Sequence, residues 1–141
     1  MPRTGVQSKQ IHQKLRILIA DDHAVIRKQV RLILEESRRF EVCAEAEDGA
    51  EAVEEARRLK PDVVILNVSM PVLNGLEAAR EIKAKLPESS IVILSANADK
   101  QFIEEARKIG AGAYVAKTKA REALVKAVEA AVSGDDFVLL D

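Results

Sequence analysis

Short apolar runs alternate with helical patterns along most of the chain. Arg16-Ile-Leu-Ile-Ala20 is a compact apolar run, followed by Val25, Ile26, Val30, Ile33 and Leu34 at helical spacing. Phe40-Glu-Val-Cys-Ala-Glu-Ala46 alternates as a half-covered strand does. Asp48 and Glu51 have capping-box spacing, which predicts a helix to about Leu59, and Pro61 stops it. Val63-Val-Ile-Leu66 is an unbroken apolar run of the buried-strand type. The pattern then repeats. Gly75 leads into a helix with Leu76, Ala79, Ile82 and Leu86 on one face, ended by Pro87, and Ile91-Val-Ile-Leu94 is the next strand. Phe102, Ile103, Ala106 and Ile109 mark a fourth helix, with Gly110 where a left-handed cap belongs. Ala113-Tyr-Val-Ala116 is a fifth strand, and Leu124, Ala127, Val128 and Ala131 line the last helix. Five strands alternating with five helices predict an α/β domain, a doubly wound five-stranded parallel sheet covered on both faces. Residues 1–15 read as a flexible basic tail, 16–133 as the folded domain and 134–141 as an extension or the start of a linker.

Composition narrows the function classes. With 141 residues the chain fits one domain that needs no metal or disulfide to build its core. The single cysteine, Cys43, excludes a disulfide framework and a multi-cysteine zinc site, which suits a reducing cytoplasm. It reads as a buried small hydrophobe within its strand. No run approaches the roughly 18 apolar residues of a membrane span, and the start lacks the apolar core of a secretory signal. The net charge of −1 combines +3 in residues 1–15 with −4 in the rest. An acidic body with four aromatics and no Trp offers neither a counterion-displacing surface nor a base-stacking platform, so no direct nucleic-acid contact is expected.

In a doubly wound sheet the site lies beyond the carboxyl ends of the strands. There the chain places Asp21-Asp22, Asn67, Ser95 and Lys117. Adjacent carboxylates need a balancing cation, and Mg²⁺ is the hard partner for oxygen ligands. A hydroxyl and an ammonium nearby suit a transferred phosphoryl group. Taken alone, the acidic pair is equally explained as a cap on the first helix; four polar strand ends together favour a site. Gly110-Ala-Gly112 is no dinucleotide loop, since it precedes the fifth strand and lacks a third glycine. No P-loop exists. His12 and His23 read as exposed residues.

The segments Ile17-Leu-Ile-Ala-Asp-Asp-His23, Pro61 to Gly75, Ile91-Val-Ile-Leu-Ser-Ala96 and Gly112-Ala-Tyr-Val-Ala-Lys117 resemble, in order and spacing, a two-component response-regulator receiver domain. The likeness is to receivers that precede helix-turn-helix outputs, and it covers about Arg16 to Ser133. It implies a flavodoxin-like, receiver-type sheet in a non-enzymatic phosphorelay module. It also implies Asp22 as the direct Mg²⁺ ligand, Asp21 as a ligand through water, and the Ser69 carbonyl as a further ligand. Ser95 and Lys117 would contact the phosphoryl group, Tyr114 would report switching by rotating, and the small Ala96 would leave the pocket accessible. The implied partners are a sensor histidine kinase or another signalling protein. A homodimer through the fourth helix, fifth strand and fifth helix is a further expectation.

One position departs from this pattern. Where such receivers carry the phosphoryl-accepting Asp, this chain has Asn67. A carboxamide has no nucleophilic oxygen comparable to a carboxylate's, and losing the charge weakens Mg²⁺ binding. Asn67 marks either a natural receiver that signals without phosphorylation or an isosteric change that holds the domain unphosphorylated; the absence of a purification tag tips the balance toward the first. The leading expectation is therefore a single-domain or truncated receiver that acts by protein contact. The alternative is a phosphorylation-independent pseudo-receiver whose partner or small ligand occupies the acidic edge.

Overall fold

The apolar runs become the middle of one parallel sheet. In a computed structural model describing residues 13–141, β1 spans Leu15–Ala20, β2 Phe40–Ala46, β3 Val63–Leu66, β4 Ser90–Ser95 and β5 Ala113–Ala116. Between them lie α1 (Ala24–Glu35), α2 (Gly49–Leu59), α3 (Gly75–Lys85) and α4 (Lys100–Ile109). A 3-10 turn, Lys117–Lys119, precedes α5 (Ala120–Ser133). The sheet runs β2-β1-β3-β4-β5 and continues into a sixth strand, β6 (Val138–Leu140), with every neighbouring pair parallel. His12 and most of the expected basic tail fall outside the described residues.

The period of two along each strand builds two separate cores. Leu18, Ala20, Val64, Leu66, Ile91, Ile93 and Tyr114 face the side covered by α2, α3 and α4. Ile17, Ile19, Val63, Ile65, Val92, Leu94, Ala113 and Val115 face α1 and α5. The central strands are apolar on both faces for this reason, whereas β2, at the sheet edge, does not keep the expected alternation: only Phe40 and Ala46 are buried, and its apolar residues pass from one core to the other across a register shift. Cys43 is half-buried, not fully buried as expected; β1 and β2 shift register beside it, Ile17 pairing with Val42 and Leu18 with Ala44, so Cys43 has no partner across the ladder.

The sixth strand corrects the five-stranded expectation. Val138 N–H donates to the Gly112 carbonyl at 3.1 Å, setting Val138 beside Ala113 and Leu140 beside Val115. Phe137 packs on the α4 side, with the Arg107 guanidinium 4.6 Å above its ring. Val138 and Leu140 pack on the α5 side. Three residues are too few to show a strand period, which is why the segment reads as an extension from sequence.

Helix starts follow local chemistry. Asp48 Oδ1 accepts from Glu51 N–H at 2.7 Å, as its spacing predicts, but the Glu51 carboxylate returns to Glu47 N–H and not to Asp48. The reciprocal capping box lies at Asn74 and Glu77, opening α3. It stands directly behind the loop after β3, the loop that shapes the site.

Candidate functional site

Register brings the polar residues to one edge. Ala20 pairs with Leu66, so the next residues, Asp21 and Asn67, emerge side by side. Asn67 N–H donates to the Ala20 carbonyl at 3.0 Å, and Asp21 N–H to the Ala46 carbonyl at 3.1 Å. Ser95 closes β4 opposite Ala116, one residue before Lys117. Asp21, Asn67 and Ser95 are 2%, 4% and 3% exposed, deep for groups of such polarity.

Asp21 is held from several directions. Its Oδ1 accepts from the His23 N–H at 2.9 Å, and the Lys117 ammonium lies 2.8 Å from Oδ2. That approach is an ion pair and lacks the angles of a hydrogen bond. Arg27 reaches back from α1 to donate to the Asp21 carbonyl at 2.7 Å, and its Nε donates to Glu45 of β2 at 2.8 Å. Burial would raise the Glu45 carboxyl, but hydrogen bonds from Arg27 and Arg31 outweigh it and hold the group below its ordinary range. Neither aspartate caps α1: the N-cap is His23, which makes no side-chain cap bond. The capping explanation of the acidic pair is thereby set aside.

Asn67 is the centre of the second cluster. Its Nδ2 donates to the Ser69 carbonyl at 2.8 Å and lies 3.4 Å from Asp22 Oδ1. The opposite orientation of the amide would set its oxygen against those two acceptors, so the network itself fixes which end faces them. Behind it the Gly75 N–H donates to the Val68 carbonyl at 2.8 Å. A Cβ on Gly75 would stand 1.9 Å from the Asn67 carbonyl oxygen, so only glycine lets α3 begin against the strand end. Between these anchors Val72 adopts φ 69°, an uncommon conformation for a β-branched residue, with the Leu73 N–H donating to the Pro71 carbonyl at 2.7 Å.

A third group joins β4 to β5. Ser95 Oγ accepts from the Asn97 N–H at 3.0 Å, and Tyr114 Oη donates to the Asn97 carbonyl at 2.5 Å. Tyr114 is fully buried. Burial raises its phenol above the ordinary 10.0, with the Asp99 carboxylate adding to the rise and a hydrogen bond with Ser95 opposing it.

The structure thus joins Asp21, Asp22, Asn67, Ser69 and Lys117 in one cluster of contacts, and places Ser95 and Tyr114 in the adjoining β4–β5 network. Sequence reasoning set His23 aside. It is exposed as expected, yet its Nδ1 lies 3.1 Å from Asp21 and 3.2 Å from Asp22. Arg27, Glu45 and Asn97 were missed. Arg27 lies four residues beyond His23, where a helix returns to the same face, and that spacing is the one available signal. Asn97 meets Ser95 and Tyr114 through its backbone, which leaves none, while its Oδ1 accepts from the Asp99 N–H at 2.8 Å.

The acidic pair suits a hard cation: ligand atoms of Asp21, Asp22 and His23 lie within 4.8 Å of one another. The rest of the set fits poorly. The Ser69 carbonyl and Asp22 Oδ1 both face the Asn67 amide, so a cation and an N–H would compete for the same oxygens.

Comparison with known proteins identifies the family and the fold. The family model for the response regulator receiver domain matches residues 17–129. The transcriptional regulatory protein DegU of Brevibacillus brevis is 35% identical over 125 residues, covering 89% of this chain and 53% of its own. PdtaR of Mycobacterium tuberculosis is 44% identical over 118 residues, covering 84% and 57%. The chain spans about half the length of these relatives. A LuxR-family two-component response regulator from Aurantimonas superposes with a TM-score of 0.83 at 32% identity, covering 88% of this chain and 89% of the other. No helix among the described residues is long and apolar enough to cross a membrane.

Proposed function

Because the chain belongs to the response regulator receiver family, we propose that Asn67 occupies its phosphoryl-acceptor position and that this receiver signals by protein contact without the usual aspartyl phosphate. The observation that carries the reading is the place of Asn67, at the end of β3 beside Asp21 and 3.4 Å from Asp22. Attack on phosphorus needs an anionic oxygen aimed out of that position; the carboxamide offers a neutral one and turns its nitrogen toward Ser69. Asp21, Asp22, Ser95 and Lys117 keep the remaining roles in this reading. Asp21 and Asp22 hold the positions of Mg²⁺ ligands, and the loss of one anionic ligand at 67 weakens that binding. Ser95 and Lys117 flank the phosphoryl position, Ser69 offers its carbonyl, and the domain performs no catalysis of its own.

The partner is a sensor histidine kinase or another signalling protein. The face formed by α4, β5 and α5 serves partner contact, including a second copy of the chain. β6 lies along β5, so that surface presents Leu139, which is exposed, in place of a bare β5 edge. In the second reading, a pseudo-receiver, a partner or small ligand occupies the acidic edge independently of phosphorylation; the Tyr114 hydroxyl donates to the Asn97 carbonyl, and any rotation of the ring must break that bond.

Intact-mass measurement after incubation with Mg²⁺ and a small phosphodonor tests the main reading. The Asn67→Asp protein gains one phosphoryl mass and the parent gains none. An unmodified Asn67→Asp protein would remove the phosphorelay assignment of the surrounding residues.

A further inference from the structure

The two acceptors that face the Asn67 amide, the Ser69 carbonyl and Asp22 Oδ1, already have a donor. Asn67 Nδ2 donates to the Ser69 carbonyl and faces Asp22 Oδ1, Lys117 pairs with Asp21 Oδ2, and the His23 N–H serves Asp21 Oδ1. Two backbone constraints hold the same loop from the other side: the Gly75 N–H on the Val68 carbonyl, and the absence of space for any Cβ at Gly75. Protein groups thus tie the loop after β3 to the strand ends on both sides.

We infer that the Asn67 carboxamide takes the structural place of a divalent cation in this pocket, so that the site is completed without metal. The inference rests on the proposal that position 67 is the acceptor position, and it goes further by assigning the amide an active role. A bound cation would draw Asp22 and the Ser69 carbonyl together through its charge. The amide N–H does the same through hydrogen bonds, at no cost of stripping water from an ion. A carboxylate at 67 reverses this: its oxygens would face the Ser69 carbonyl and a like charge on Asp22, and only a cation could hold them together. Alanine at 67 removes the donor and adds no charge, leaving the Ser69 carbonyl free to ligate.

The test is a Mg²⁺ titration of the parent, Asn67→Ala and Asn67→Asp, at matched ionic strength and after chelation, read by thermal unfolding and calorimetry. The parent should keep its Tm within about 1 °C up to roughly 10 mM Mg²⁺ and release no binding heat. Asn67→Asp should melt several degrees lower in chelator and recover with Mg²⁺. Asn67→Ala should also melt lower, by roughly 2–5 °C, and bind Mg²⁺ more tightly than the parent. If the alanine variant fails to fold, Asn67→Ser, which retains a short polar side chain that cannot span both acceptors, takes its place. A parent that binds Mg²⁺ as tightly as Asn67→Asp overturns the inference, as does a donor-free variant with the parent's stability and metal response. Phosphoryl transfer to Asn67→Asp is read separately by mass, so a failed acceptor assignment is distinguished from a failed role for the amide.

Discussion

Asparagine and aspartate at position 67 differ by a nitrogen in place of an oxygen, and the nearest neighbours decide what that exchange does. With nitrogen, the side chain donates to the Ser69 carbonyl and turns a partial positive charge toward Asp22. With oxygen, two carboxylates would stand at a separation where like charges repel by roughly 1 to 4 kcal/mol, depending on how much water screens them. Tyr114 is the second residue whose environment makes a prediction. Its phenol is raised above the ordinary 10.0 by burial, so it favours the fold below pH 10.0 and that contribution is lost as the pH climbs through the raised value. Tyr114→Phe keeps the ring in the core but loses the bond to Asn97. It should cost about 1 kcal/mol at neutral pH while flattening the alkaline fall in stability. Urea midpoints measured at neutral pH and on either side of pH 10.0 check both parts; a parent with no alkaline fall would contradict the assigned burial effect.

At the scale of elements, the apolar runs and helical faces were legible, because strands buried on both faces and amphipathic helices write their periods into the chain. Pro61 and Gly110 marked real ends: α2 stops at Leu59, and Gly110 takes φ 102° after α4. The Asn74–Glu77 box has the same spacing logic as Asp48–Glu51 and could have been found by it. β6 was not legible as a strand, because its three residues are held by their seat beside β5 and by Phe137, and both are tertiary facts. Phe137 is half-buried and carries the Arg107 contact, so Phe137→Ala should cost about 1–2 kcal/mol. Hydrogen exchange should show the amide of Val138 deprotected while β1 and β3 stay unchanged. Loss of protection across the whole sheet would show instead that β6 is integral to the core.

For the whole molecule, the doubly wound topology explains how residues from positions 21 to 117 come to share one edge, and that much of the site followed from the order of strands. Which residues met there could be read; how they met could not. The direction of the Asn67 amide, the clamp of Arg27 between Asp21 and Glu45, and the tie from Ser95 through Asn97 to Tyr114 depend on hydrogen bonds between distant segments. The central claim is a receiver pocket closed on itself by Asn67. Its most direct measurement is the side-chain amide signal of Asn67 in a ¹H–¹⁵N spectrum, assigned by its loss in Asn67→Asp and followed during addition of Mg²⁺. A pocket closed by this amide gives two well-separated, slowly exchanging amide protons that do not move as Mg²⁺ is added. Rapid exchange with water, or a shift of these protons that saturates with Mg²⁺, would contradict it.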